Sequence, residues 1–302
     1  MAMSGETLTL PSFAKINLRL EVIGKRSDGF HDLCTIFQTV SLRDTITFAA
    51  LNEGDVLTCS DPAVPTAENN LIIRAAQALR ERYRITKGMR VHLEKQIPSP
   101  GGLGGGSSNA AVTLLALRRL WDISASDAEL HDIAAELGSD VPFFLVGGTA
   151  LGIGRGTELS ELPDFKCESM LLVTPDVDVS TREAFNGLNV QSLTNPESKR
   201  ILQICRFEAE SRGFAHSAMK NDFEESVFTQ HPEVRRVKET LISLGAGQAL
   251  LSGSGASVFG LFDRKETRQA AMKALDNEIN WRKFAVATIS RSKYREALEQ
   301  VY

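Results

Sequence analysis

The segment with the clearest chemical purpose is Pro98-Ser99-Pro100-Gly101-Gly102-Leu103-Gly104-Gly105-Gly106-Ser107-Ser108-Asn109-Ala110, in which five of the six residues from Gly101 to Gly106 are glycine. Without side chains the backbone can take positive φ and come close to a ligand. Ser107 and Ser108 then open a strongly patterned helix, whose unpaired amides and dipole favour an anion. A glycine loop feeding a helix N-terminus is suited to phosphate. A plain surface linker would not run straight into such a helix.

Two other residues could act beside a phosphate. Asp140, in Leu137-Gly138-Ser139-Asp140-Val141-Pro142-Phe143-Phe144, stands between a helix end and an apolar run. It reads either as a turn aspartate beside Gly138 or as a carboxylate near an attacking hydroxyl, the group phosphoryl transfer to an alcohol often needs. Lys15, in Pro11-Ser12-Phe13-Ala14-Lys15-Ile16-Asn17-Leu18, is by itself an ordinary strand lysine, with Asn17 on the same side two residues on.

The elements that must position these groups follow from periodicity. Ser12 to Ile23 alternates as a strand, Gly24 to His31 forms a loop, and Thr35 to Phe48 is again β-rich. Asn70 to Tyr83 has amphipathic helical spacing. Met89 to Ile97 reads as the strand entering the glycine loop, Ser107 to Leu120 as a helix, and Asp127 to Leu137 as another capped by Ser126. Val146 to Gly156 is a strand and turn. The pattern breaks at Leu159 to Cys167 around Pro163, dividing residues 1–162 from 163–302. Beyond lie a strand (Met170 to Val173), helices at Thr181 to Leu188, Glu197 to Glu210 and Val234 to Leu244, and a strand-loop-strand at Gln248 to Phe262. A helix (Lys265 to Leu275) and a strand (Phe284 to Ile289) follow. Interleaved strands and helices without regular βαβ alternation indicate an α+β fold.

Composition narrows the function classes. The 302 residues are 42% hydrophobic and 24% charged, with a formal net charge of −4. Such a chain can bury a substantial core and offers no bulk electrostatic case for nucleic acid. Cys34, Cys59, Cys167 and Cys205 are widely spaced, which suits neither a zinc site nor a disulfide framework and fits a reducing compartment. No run approaches the ~18 apolar residues of a membrane span, and Met1 to Leu10 lacks the pattern of a signal peptide. A soluble cytoplasmic protein is expected, without membrane or nucleic-acid partners.

Neither standard nucleotide loop matches. A Walker A loop ends in Gly-Lys-Ser/Thr, whereas Ser107 follows Gly106 directly. A dinucleotide fingerprint asks for an acidic residue ~20 positions on, in a parallel-sheet context; Asp122 sits just past the helix and is a poor match. The loop instead resembles the PxxxGLGGGSS signature of the GHMP kinases. The string Gly102 to Ala111 is specific, and further motifs follow in the family order from Pro11 to about Phe262.

The resemblance implies a two-domain GHMP kinase fold, with an N-terminal ribosomal-protein-like α/β domain carrying the phosphate loop and a ferredoxin-like C-terminal domain. It implies ATP, with its phosphates over Pro98, Gly101, Gly102, Leu103, Gly104, Gly105, Gly106, Ser107, Ser108 and Asn109. Mg²⁺ would be held mostly by phosphate and water, with no residue assigned as its ligand. Asp140 matches the catalytic aspartate of the family's LGxDVPxF segment. Lys15, in PxxAKxNLxL, would pair with it, and Asn17 would touch the substrate. Arg26-Ser27-Asp28-Gly29-Phe30-His31-Asp32-Leu33 is similar to the RxDGYHxL segment of the branch acting on a diphosphocytidyl-methylerythritol. His31 would then bond the cytosine between the rings of Phe30 and Phe185. Phe30 replaces the usual tyrosine, which puts any bond from that hydroxyl in doubt. Phe37 and Thr181 fall at matching pocket positions. Asn70 is either the family residue beside the nucleotide or a helix cap. Leu251 to Ser257 resembles a second glycine loop facing the active site, and Asn221-Asp222-Phe223-Glu224 a structural helix start. A monomer or weak homodimer is the expected state. Other alcohols, homoserine or mevalonate, and a non-catalytic binding module are the alternatives.

Overall fold

The computed structural model describes residues 6–188, 195–212 and 219–302. Met1 to Gly5, where part of the leader reading falls, lie outside them. The first half of the chain runs β1 (Thr7–Lys25), β2 (His31–Leu51), β3 (Asp55–Cys59), α1 (Leu71–Tyr83), β4 (Gly88–Glu94), α2 (Gly105–Leu120), α3 (Asp127–Leu137), α4 (Phe143–Val146), β5 (Thr149–Gly154) and β6 (Glu158–Glu161). The second runs β7 (Met170–Pro175), α5 (Thr181–Asn186), α6 (Asn195–Arg212), β8 (Lys220–Asn221), α7 (Phe223–Gln230), α8 (Pro232–Ser243), β9 (Gln248–Leu251), β10 (Val258–Leu261), α9 (Lys265–Ala274), β11 (Trp281–Val286) and α10 (Arg291–Ala297).

Two sheets organise these elements. The larger has the order β3-β4-β2-β1-β8, with β5 on the early part of β2 and β6 on β5. The smaller, β11-β7-β10-β9, is antiparallel throughout. Buried residues of α1, α2 and α3 cover one face of the large sheet, while those of α7, α8 and α9 cover the small one. A third apolar cluster joins the sheets, with Ala14, Ile16 and Leu18 of β1 against Leu172 and Phe259. Residues Ser12 to Leu18 are all buried. The alternation in this strand therefore separates two protein-facing sides, not core from solvent.

Several elements lie beyond the expected set. The short strands β3, β6 and β8 and the single turn α4 carry too few residues for a periodic signal. The helix α2 starts two residues early, because Gly105 and Gly106 take helical geometry once Leu103 is anchored in the core. The last helix, α10, returns to the first half of the molecule, where the Tyr294 hydroxyl donates to the Phe144 carbonyl at 2.6 Å. A break near residue 162 separates the two sheets along the chain, except for β8 and this returning helix.

Candidate active site

The residues with chemical promise meet along one cleft of about 730 Å³. Lys15 and Asn17 are aimed into it by β1, whose register slips between Phe13 and Ala14 and again between Asn17 and Arg19. Such bulges turn side chains away from simple alternation. The Lys15 side chain is only 3% exposed, and its Nζ meets three acceptors: Asn17 Oδ1 at 2.7 Å, the Gly102 carbonyl at 3.0 Å and Asp140 Oδ2 at 3.3 Å. Three protons for three acceptors leave a buried ammonium satisfied. Asn17 is fixed by donating to Thr35 Oγ1 at 2.8 Å, and that hydroxyl donates to the Arg19 carbonyl at 2.8 Å.

Asp140 stands on the turn between α3 and α4. Val141, Phe143 and Phe144 are fully buried and pin that turn to the core. The carboxylate itself is 35% exposed, so one side is held by Lys15 while the group still faces the cleft. A carboxylate so placed can accept a proton from an alcohol, and the adjacent ammonium can offset negative charge developing there.

The glycine loop borders this pair. Gly102 and Gly104 have φ of 71° and 69°. A Cβ on Gly102 would lie 2.0 Å from the Ser252 carbonyl oxygen, and one on Gly104 would lie 2.9 Å from Phe144 and 3.1 Å from the Lys15 stem. Both positions therefore need glycine for space as well as conformation. Gly104 caps α2 with no side-chain bond, leaving the first-turn amides open to an anion. The expected loop residues divide into two groups. Gly101, Gly102, Gly104 and Ser107 line the cleft. Leu103, Ser108 and Asn109 turn into the protein, where Ser12 Oγ lies 2.8 Å from Ser108 Oγ and 2.7 Å from Asn109 Oδ1. Their side chains anchor the loop. Gly105 packs on Ile97 and Lys95, Gly106 lies beside Leu71, and Pro98 is buried at the loop entrance.

Asn70 acts as the cap of α1. Its Oδ1 accepts from the Ile72 amide at 2.9 Å, and its Nδ2 donates to the Pro65 carbonyl at 2.6 Å. The neighbouring Leu71 touches the Gly106 position, which sets this helix start beside the loop without aiming Asn70 into the cleft.

Phe30, His31, Phe37, Thr181 and Phe185 all line the cleft. The rings, however, do not form the simple slot that was expected. His31 stacks on Phe185, with centroids 4.6 Å apart and planes at 17°. Phe30 carries the Arg155 guanidinium 3.8 Å from its centroid. One face of each phenylalanine thus meets a cationic or polar plane of the protein, as ring quadrupoles favour. Burial, assisted by Lys25, lowers the His31 pKa from its ordinary 6.5, so the imidazole is neutral at pH 7. Phe37 stacks on Phe143 with Lys15 nearby, and Thr181 Oγ1 lies 3.0 Å from Ser254 Oγ.

Sequence reasoning passed over several neighbours. Ser254 of the second glycine loop, Ser139, Arg155 and Arg182 also line the cleft. Arg155 stands between two glycines, Gly154 and Gly156, a weak signal that carried no reading of the arginine itself. Asn221, read as structural, fastens the second loop, its Nδ2 donating to the carbonyls of Leu251 and Gly253 at 2.8 Å each. Ser252 Oγ donates to the Gly102 carbonyl at 3.0 Å and ties the two loops together.

A glycine loop at a helix start, a Lys–Asp pair beside it and two sheets flanking the cleft fit a small-molecule kinase. Residues 70–148 match the GHMP kinases N terminal domain and residues 207–280 the GHMP kinases C terminal domain, and the chain belongs to the GHMP kinase family. Among its curated relatives is the 4-diphosphocytidyl-2-C-methyl-D-erythritol kinase of Solibacter usitatus, 40% identical, the match covering 95% of this chain and 90% of the relative. The enzyme of the same name from Chlorobium phaeobacteroides is 42% identical over 90% of this chain and 92% of its own. A crystal structure of 4-(cytidine 5'-diphospho)-2C-methyl-D-erythritol kinase superposes with a TM-score of 0.75 at 32% identity, covering 93% of this chain and 99% of the other.

Proposed function

We propose that the protein transfers the γ-phosphate of ATP to the 2-hydroxyl of 4-diphosphocytidyl-2-C-methyl-D-erythritol. The products are ADP and the 2-phosphate, an intermediate of the non-mevalonate route to isoprenoids. The observation that carries this reading is the arrangement along one cleft of the glycine loop, the Lys15–Asp140 pair and the His31–Phe185 stack. The length and level of identity to relatives bearing that name support it.

On this reading Asp140 accepts the proton of the 2-hydroxyl as its oxygen attacks the γ-phosphorus. Lys15 holds the carboxylate in place and offsets charge on the alcohol oxygen. Asn17 orients Lys15 and reaches the acceptor, while the loop from Gly101 to Ser107 and the open amides of α2 hold the nucleotide phosphates. Neutral His31 bonds the cytosine edge, and Phe30, Phe37, Thr181 and Phe185 shape the pocket. Residues 1–162 serve as the nucleotide domain, and 163–302 complete the cleft.

Mg²⁺ fits this site as a companion of the nucleotide. Among the described residues no group of three or more His, Cys, Asp and Glu could hold a metal, and Asp140 is the sole carboxylate lining the cleft. When bound on the phosphates, the ion supplies charge neutralisation. No helix among the described residues is long and apolar enough to cross a membrane, and none of the four cysteines is in a disulfide. The proposed state is a cytoplasmic monomer or weak homodimer.

Identifying the product by phosphorus NMR tests the assignment. A new monoester on the 2-hydroxyl carbon is expected. Phosphate at another hydroxyl, or efficient transfer to homoserine or mevalonate instead, would overturn it.

A further inference from the structure

Arg155 is held on the turn that ends β5, between Gly154 and Gly156, whose φ values are 65° and 89°. Its guanidinium lies flat enough on Phe30 to place its carbon 3.8 Å from the ring centroid. Among the described residues it makes no hydrogen bond or ion pair, and its Nε is buried without a partner. The neighbouring Asp28 carboxylate is already engaged by Arg26. An arginine keeps its charge and offers five donors in a rigid fork. The unpaired Nε and the open fork leave Arg155 with donors to offer an anionic group in the cleft.

Its position says which ligand. Gly156, the next residue, sits with its Cβ position 3.8 Å from Phe37, and Phe37 lies beside Lys15. On the other side is Phe30, at the His31–Phe185 end of the cleft. Arg155 therefore lines the cleft from its aromatic end, and the next residue, Gly156, packs toward the Phe37 beside Lys15. Lys15, Arg155 and Arg182 outnumber the single carboxylate of the cleft wall. We propose that Arg155, braced on Phe30, binds the diphosphate linking the nucleoside to the polyol and thereby sets the preference for a nucleoside-diphosphate-bearing alcohol. This deepens the substrate reading above and rests on it.

The test uses cytidine 5'-diphosphate and cytidine as probes, titrated calorimetrically into the wild type, Arg155→Gln and Arg155→Lys. A non-hydrolysable ATP analogue keeps the nucleotide site filled. The wild type should bind the diphosphate at least ~10-fold more tightly than the nucleoside, a charge-assisted bidentate preference that salt erodes. Arg155→Gln should reduce that preference to about threefold or less, and Arg155→Lys should retain part of it. In turnover, Arg155→Gln should raise KM for the cytidylated substrate about 10-fold while kcat changes by less than about threefold, as loss of uniform binding requires. A merely structural arginine would not produce that split. A Gln variant keeping the wild-type preference and KM would overturn the proposal while leaving the substrate reading intact. A wild type unable to turn over the cytidylated substrate would overturn both.

Discussion

At the scale of single residues, the account turns on how a buried lysine is satisfied. Lys15 meets three acceptors, and only one of them, Asp140, belongs to a group with an open side. Asp140→Asn should keep the fold and nucleotide affinity and lower kcat by about 100- to 10,000-fold, the range for losing a general base. Steady-state kinetics with an unchanged melting temperature would check it. His31 carries a pH prediction. Its pKa is lowered in the folded protein, so the unfolded chain binds the proton first as pH falls. Its stability contribution is full above about pH 6.5 and declines as pH drops through that value toward the lowered one. KM for the cytidylated substrate should rise only further down, as pH falls through the lowered folded-state value and the imidazole takes up its proton, and His31→Gln should flatten both curves. Lys15 and Asn17 were legible as a same-side pair because a strand has a period of two. The Arg155–Phe30 and His31–Phe185 contacts were not, because they join segments separated by more than a hundred residues, and no local pattern encodes that meeting.

At the scale of elements, two glycine loops work as one unit. The Gly102 carbonyl accepts from both Lys15 and Ser252, and Asn221 bonds two carbonyls around the second loop. Asn221→Ala leaves those buried carbonyls unpaired. It should cost about 1–3 kcal/mol in stability and, by loosening Gly253 beside Lys15, depress kcat as well. Denaturant unfolding and kinetics on the same variant would check both effects. A second support lies at the loop entrance. Buried Asp44 accepts from the amides of Gln96 and Ile97 and from Lys95 Nζ at 2.7 Å. Burial lowers the Lys95 pKa, and Asp44 opposes the shift. Lys95→Met would leave the aspartate as an uncompensated charge and should cost about 3–5 kcal/mol, read as a lower denaturation midpoint. The glycine loop and its helix were plain in the sequence, since composition and capping are local. The Asp44–Lys95 strut was hidden, because a lysine and an aspartate 51 residues apart look like two ordinary surface charges until the sheet pairs their strands.

At the scale of the whole molecule, the cleft depends on the chain returning upon itself. β1 supplies Lys15 and Asn17, the α3–α4 turn supplies Asp140, and the segment between β9 and β10 closes over the first loop. The α+β class followed from the order of strands and helices. The return of α10 to the first layer, through Tyr294 and the Phe144 carbonyl, did not, because a seven-residue helix near the chain end has too few turns for an amphipathic signature. The central claim is that this assembled cleft phosphorylates an alcohol attached to a cytidine diphosphate. ADP release by the purified protein with Mg-ATP, comparing 4-diphosphocytidyl-2-C-methyl-D-erythritol with the same polyol phosphate lacking the cytidine portion, tests it most directly. The account predicts turnover with the cytidylated compound and little with the truncated one; equal turnover of both, or none with either, would contradict it.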